Sequence, residues 1–189
     1  ARPDFASRLA GARVVKRGGL TSATWAPPGP LGGALGAAAQ ALLGWETGAG
    51  PPEEALSPDV ALGRCWAMRG AQGRLTVALA RPLARVEAVT LEHAGAAESP
   101  DRGSAPRRCR VWALDGEDDP RPRPLGDLEY SVAPGAPALQ TFPLAAAATD
   151  TPVALVMLEV LSNHGHPDFT CLYRLRVHGE EVLVGEGEG

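Results

Sequence analysis

From Asp59 onward the chain is a succession of short segments whose apolar residues alternate from side to side. Each segment is cut off by a glycine, a proline or an Asp-Gly pair. Such a pattern has the period of a strand, not of a helix, and constrains the fold more than any other feature. "RLTVAL" (74–79) puts Leu75, Val77 and Leu79 on one face, and "RVEAVTLEH" (85–93) does the same with Val89 and Leu91. "RCRVWALDG" (108–116) sets Arg110, Trp112 and Leu114 against Val111 and Ala113, then stops at a turn. "GDLEYSV" and "ALQTFPL" flank the turn "APGAP" (133–137). "VALVMLEVL" (153–161) is apolar on both faces up to Glu159, as a buried strand is. "LYRLRVHG" (172–179) points Tyr173, Leu175 and Val177 inward and Arg174 and Arg176 outward. Roughly six or seven such strands joined by turns predict an all-β fold, a compact antiparallel β-sandwich.

The first third of the chain reads differently. Residues 1–15, "ARPDFASRLAGARVV", predict a short helix with Asp4 as N-cap, Phe5 and Leu9 on one face and Gly11 at the end. From Gly18 to Pro58 glycine, alanine and proline dominate, with Trp25, Leu31, Leu35, Leu42, Leu43 and Trp45 as scattered anchors. Residues 34–45 favour a small helix, and the remainder reads as a long functional or disordered loop. The divisions expected are an N-terminal helical segment (1–18), an insertion (19–56), the sandwich (57–182) and a flexible Gly-rich tail (183–189).

Composition excludes some functions. The net charge of −4 and the single lysine, Lys16, give no basic face for nucleic acid. No run of eighteen apolar residues is present, so no helical membrane span is predicted. Lacking an initiating methionine and a signal peptide, the chain reads as a fragment of a longer one. Its three cysteines, Cys65, Cys109 and Cys171, allow one disulfide and one leftover thiol, and lack the C-x-x-C spacing of a zinc site.

Three of the four histidines lie in "SNHGHPDFTCLYRLRVHGE" (162–180) beside Cys171. His164 and His166, with Asp168 or Cys171, could approach one ion, but a structural zinc site needs four ligands in paired clusters. A turn with polar caps is the simpler reading. Cys171 leads into an inward-facing strand, where cysteines are packed or disulfide-bonded more often than reactive. "GGALGA" does not have P-loop spacing, and "DGEDD" (115–119) reads as a solvated turn. These readings predict no catalysis and no cofactor. A binding module fits better, one that takes an extended peptide at a sheet edge and captures its C-terminal carboxylate. His93, Ser104, Tyr173 and the "HPDFT" turn supply the hydroxyl, imidazole and backbone donors this requires.

Several longer pieces, in order, closely resemble the SUN domain. They are "SPDVALGRCWAMRGAQGRLTVAL" (57–79), "VTLEH" (89–93), "SAPRRCRVWAL" (104–114) and "LSNHGHPDFTCLYRLRVHGE" (161–180). "PDFASRLAGARVV" (3–15) is similar to the family's opening, and residues 20–56 match least well. The resemblance implies a lumenal module of inner-nuclear-membrane proteins that forms homotrimers above an upstream coiled coil. It implies binding of the C-terminal tails of KASH proteins, which completes the LINC bridge across the perinuclear space. Matching motifs carry the peptide pocket to His93, Ser104, Phe169 and Tyr173, and the family's lid to the insertion. They carry its intradomain disulfide to Cys65 and Cys171; closing a loop of about 105 residues would stabilise by roughly 4–5 kcal/mol. The oxidising lumen would preserve such a bond.

The chain departs from the family in several places. Phe169 stands where many members have tyrosine; it serves equally well if that position acts through its backbone N–H, and weakens the site if the hydroxyl matters. Gly19 or a neighbour occupies the place of the cysteine that forms a covalent link to the peptide in some members, so no such link is expected. The lid is longer than usual and poor in β-branched and aromatic residues, which predicts weak or altered pairing with a peptide. Asp59 of the monovalent-cation loop remains, but Arg64 replaces the family's asparagine; its guanidinium would repel the ion and donate to loop carbonyls instead. His164 stands in place of a packing tryptophan, which would loosen that corner or make it pH-sensitive. Two alternatives remain beside KASH binding. One is a lectin-like carbohydrate-binding sandwich, and the other is an assembly module that has lost its peptide.

Overall fold

The computed structural model describes residues 2–26, 50–95, 97, 99, 102–145 and 151–182. The helix expected at 34–45, most of the insertion and the C-terminal tail lie outside these residues. The fold is the antiparallel β-sandwich predicted, and its centre is one long strand. Among the described residues nine strands follow in chain order: β1 (Arg13–Val14), β2 (Trp66–Arg69), β3 (Gly73–Glu92), β4 (Arg108–Leu114), β5 (Arg123–Glu129), β6 (Leu139–Pro143), β7 (Val153–Val160), β8 (Phe169–Leu172) and β9 (Arg174–Glu181).

The segments 74–79 and 85–93, read as two strands, are the two halves of β3. Its first half pairs with β1 and β7, and β7 continues through β4 to β5. Its second half pairs with β6 and β9. Between them the register shifts from Ala78↔Leu155 to Leu83↔Val153. Pro82, which has no N–H to give a ladder, falls inside that irregularity and is exposed. β3 thus turns the corner from one layer to the other.

The alternation read from sequence holds where the layers face each other. Leu75 and Val77 of β3, Val111 and Ala113 of β4, Val156 and Leu158 of β7 and Leu175 and Val177 of β9 are all buried in one cluster. The opposite face of β4 and β7 is not simply solvated. Leu114, Leu155 and Met157 form a second buried cluster with Val15, against which Leu20, Ala78 and Trp112 pack. That second cluster explains why "VALVMLEVL" is apolar on both faces.

The N-terminal helix is only a single 3-10 turn, Arg8–Ala10, closed by Gly11 at φ 103°. Asp4 does not cap it, and Leu9 is 81% exposed where a place beside Phe5 was expected. Asp4 instead clamps the segment to β9: Oδ1 accepts from Val177 N–H at 3.3 Å, and Oδ2 meets Arg174 at 3.1 Å. Phe5 enters the main core, and its N–H donates to the Val177 carbonyl at 2.9 Å. Tertiary pairing has overridden a weak helical preference.

Candidate functional site

β2 and β8 form a separate two-stranded ladder, with Ala67 opposite Cys171 and Arg69 opposite Phe169. The chain entering the insertion is tied beside it. Trp25 N–H donates to the Ala67 carbonyl at 2.8 Å, Thr24 bridges Met68, and the indole N–H of fully buried Trp66 donates to Thr24 Oγ1 at 2.9 Å. Cys65 and Cys171 are disulfide-bonded, with Cα atoms 5.6 Å apart.

Around this disulfide a small cluster gathers Ala94 and Tyr173, with Phe169 packed against it. The His93 ring meets Tyr173 edge-on at 4.8 Å between centroids. Ser104 joins through its backbone, its carbonyl accepting from Cys171 N–H at 2.8 Å. The four sequence-predicted pocket residues therefore meet at one end of the sandwich. Tyr173 Oη accepts from Gly63 N–H at 3.3 Å, which ties the pocket to the loop before β2. His93 is 4% exposed, and its Nε2 is buried without a hydrogen-bond partner among the described residues. Burial pushes its pKa down to about 4; nearby Arg102 and His164 lower it further, while the bond to the Ala94 carbonyl partly offsets them.

Phe169 differs from the expectation in one respect. Its N–H donates to His166 Nδ1 at 3.3 Å, so the amide is engaged within the turn. Its ring lies 3.9 Å from that of His166 and 4.9 Å from that of Trp25. Trp25 is thus a neighbour of the predicted site that the motifs did not reveal, whereas His166 lies in the turn already singled out. The signal available was the rarity of aromatics in the stretch holding Trp25.

Asn163 organises the turn "SNHGHPDF". Its Nδ2 donates to the carbonyls of His166 and Phe169 and to Thr170 Oγ1, while Oδ1 accepts from Gly165 N–H. Gly165, at φ 118°, takes a backbone conformation that side-chained residues avoid. His164 Nε2 donates to the Tyr130 carbonyl at 2.7 Å, so the corner expected to be loosened is held by a hydrogen bond. His164 Nε2 is thus engaged with Tyr130 and His166 Nδ1 within the turn, and Cys171 is committed to its disulfide. Cys109 is 1% exposed in β4, and burial pushes its thiol up to about 12.

In the loop before β2, the Arg64 guanidinium pairs with the Asp59 carboxylate at 3.2 Å and not with loop carbonyls as expected. Asp59 also accepts from Ala61 N–H; that bond, and then Arg64, hold its carboxyl below the usual range. Gly19 stands at φ 73° in the turn after β1, and no cysteine is near it in sequence.

The family model described as Sad1 / UNC-like C-terminal matches residues 46–181, well over half of the chain. The Klaroid protein of Drosophila melanogaster is 41% identical over 131 residues, which are 68% of this chain and 13% of that protein. SUN domain-containing protein 1 of Homo sapiens is 39% identical over 133 residues, 69% of this chain and 17% of that protein. SUN domain-containing protein 3 of Bos taurus is 36% identical over 184 residues, 93% of this chain and 46% of that protein. The chain spans less than half the length of these relatives. Among solved structures, the family 32 carbohydrate-binding module from Streptococcus pneumoniae EndoD superposes with a TM-score of 0.59 at 14% identity, covering 94% of this chain and 100% of that one. Allantoicase from Saccharomyces cerevisiae does so at 0.57 and 16%, covering 94% of this chain and 43% of that one. At such identities the likeness is one of fold alone. Ordered motifs, disulfide and family match agree, and the chain belongs to the SUN-domain family, the Sad1 / UNC-like C-terminal domains.

Proposed function

We propose that this domain is a non-catalytic receptor for the C-terminal tail of a KASH protein. In that role it forms the lumenal half of a LINC bridge coupling nucleoskeleton to cytoskeleton. The domain would lie in the perinuclear space, carried by an inner-nuclear-membrane protein and trimerised through a coiled coil upstream. The reading is supported above all by one observation: His93, Ser104, Phe169 and Tyr173 converge around the Cys65–Cys171 disulfide. A peptide end docking there would meet imidazole, hydroxyl and aromatic groups. Arg64 makes the neighbouring loop independent of a monovalent cation, because Asp59 already has its counter-charge.

The test is titration of the chain with a synthetic KASH-tail peptide, and with the same peptide extended by one residue. Saturable binding that the extension abolishes is expected. Equal binding of both peptides would remove carboxylate capture. Tight binding of a glycan instead of the peptide would favour the carbohydrate reading, which rests on fold alone.

A further inference from the structure

We infer that this site takes up a proton from solvent when it binds a peptide carboxylate, with His93 Nε2 as the seat of that proton. The inference rests on the reading of the site as a receptor for a peptide's C-terminal end. Its ground is the geometry of one ring. His93 Nδ1 lies 3.3 Å from the Ala94 carbonyl oxygen. That oxygen carries no hydrogen, so the contact is attractive only with a proton on Nδ1. A neutral ring then leaves Nε2 as a bare lone pair, buried and without a partner among the described residues.

A carboxylate offers acceptors alone. Set against the Nε2 lone pair, it would be repelled. Moving the Nδ1 proton across to Nε2 would turn a second lone pair against the Ala94 carbonyl. Adding a proton at Nε2 keeps the Nδ1 bond and places an imidazolium against the anion, a charge-assisted hydrogen bond. The balance is simple: one proton enters from solvent with the carboxylate and leaves with it, and no covalent bond to carbon forms or breaks.

The surroundings favour a linkage that only the ligand can switch on. Among the described residues, the rings of Tyr173 and Tyr130 face His93 at 4.8 and 6.4 Å. Tyr130 donates its hydroxyl to the Ala138 carbonyl at 2.6 Å and is pushed up to about 12, chiefly by burial. Arg102 and His164 oppose positive charge on the ring. Glu92, the adjacent carboxylate, is committed to Arg176 at 2.6 Å. The free site therefore holds His93 neutral, with its pKa down at about 4, until an anion arrives.

The experiment is calorimetric titration of the chain with the KASH-tail peptide at pH 6.5, in two buffers of different ionisation heat. Uptake of about one proton per peptide is expected, with affinity rising by up to about tenfold per unit as pH falls from 8 to 5.5. The same peptide with an amidated C-terminus should show no uptake, a control that needs no folded variant. His93→Gln should flatten the pH dependence. Binding of the free-acid peptide without uptake, or uptake that survives His93→Gln, would overturn the inference and leave the peptide reading standing. No binding at any pH would overturn both.

Discussion

Phe169 contributes its ring, because its amide is already spent on His166 Nδ1. The ring lies between those of Trp25 and His166 and packs against the disulfide cluster. Phe169→Ala should therefore lower stability by about 1–2 kcal/mol, less than a fully buried phenylalanine because the side chain is only half-buried. Urea denaturation would measure this, and peptide titration should show weaker binding alongside it. Phe169→Leu, which restores bulk without the aromatic face, should recover more stability than affinity. Arg64 permits a second test at the same scale. With Asp59 already paired, replacing potassium by a bulky organic cation at fixed ionic strength should leave peptide affinity unchanged. Arg64→Asn should make it depend on the small cation; a wild-type chain that loses affinity in the same exchange would refute the cation-independent loop.

Among the elements, β3 shows what could be read in advance and what could not. Leu75, Val77, Val89 and Leu91 were placed on buried faces from alternation alone, since a period of two is local. That both runs belong to one strand was not legible, because Pro82 interrupts the pattern and continuity across it depends on partners far away in sequence. The site divides in the same way. Residues in long motifs, such as His93 and Tyr173, could be assigned by resemblance. The Trp25 contact with Phe169 joins positions separated by most of the chain and follows only from the ladder beside β2. Two links of this long-range kind are open to test. The disulfide closes a separation of 106 residues, so Cys65→Ser with Cys171→Ser should cost about 2–5 kcal/mol in chemical denaturation. Asp4 and Arg174 are each 14% exposed, so Asp4→Ala strands a largely buried guanidinium and should cost about 1–3 kcal/mol. Loss of both partners, in Asp4→Ala with Arg174→Met, should cost less than Asp4→Ala alone.

At the scale of the whole molecule, stability and the proposed proton uptake converge on the same buried imidazole. The folded chain holds His93 neutral down to about pH 4, mainly through burial, whereas an unfolded histidine titrates near its ordinary value of about 6.5. Between these two values the unfolded state binds more protons than the folded one. The contribution to stability is therefore fully present above the unfolded value and is lost as pH falls through the window. A depression of this size corresponds to roughly 3 kcal/mol at the acid end. Denaturant midpoints measured from pH 7 to pH 4 should fall accordingly, and His93→Gln should remove most of the slope while leaving carboxylate titration below it. A ligand that supplies an anion to Nε2 reverses this preference, because the folded, occupied state then binds the proton more tightly than the unfolded chain. Saturating KASH-tail peptide should consequently protect the fold most at the acid end of the window. Its stabilising effect should grow as pH falls from 7 toward 5, and the amidated peptide should protect no better at pH 5 than at pH 7. Equal pH dependence for the two peptides would remove the pairing of His93 with a peptide carboxylate as the source of that protection.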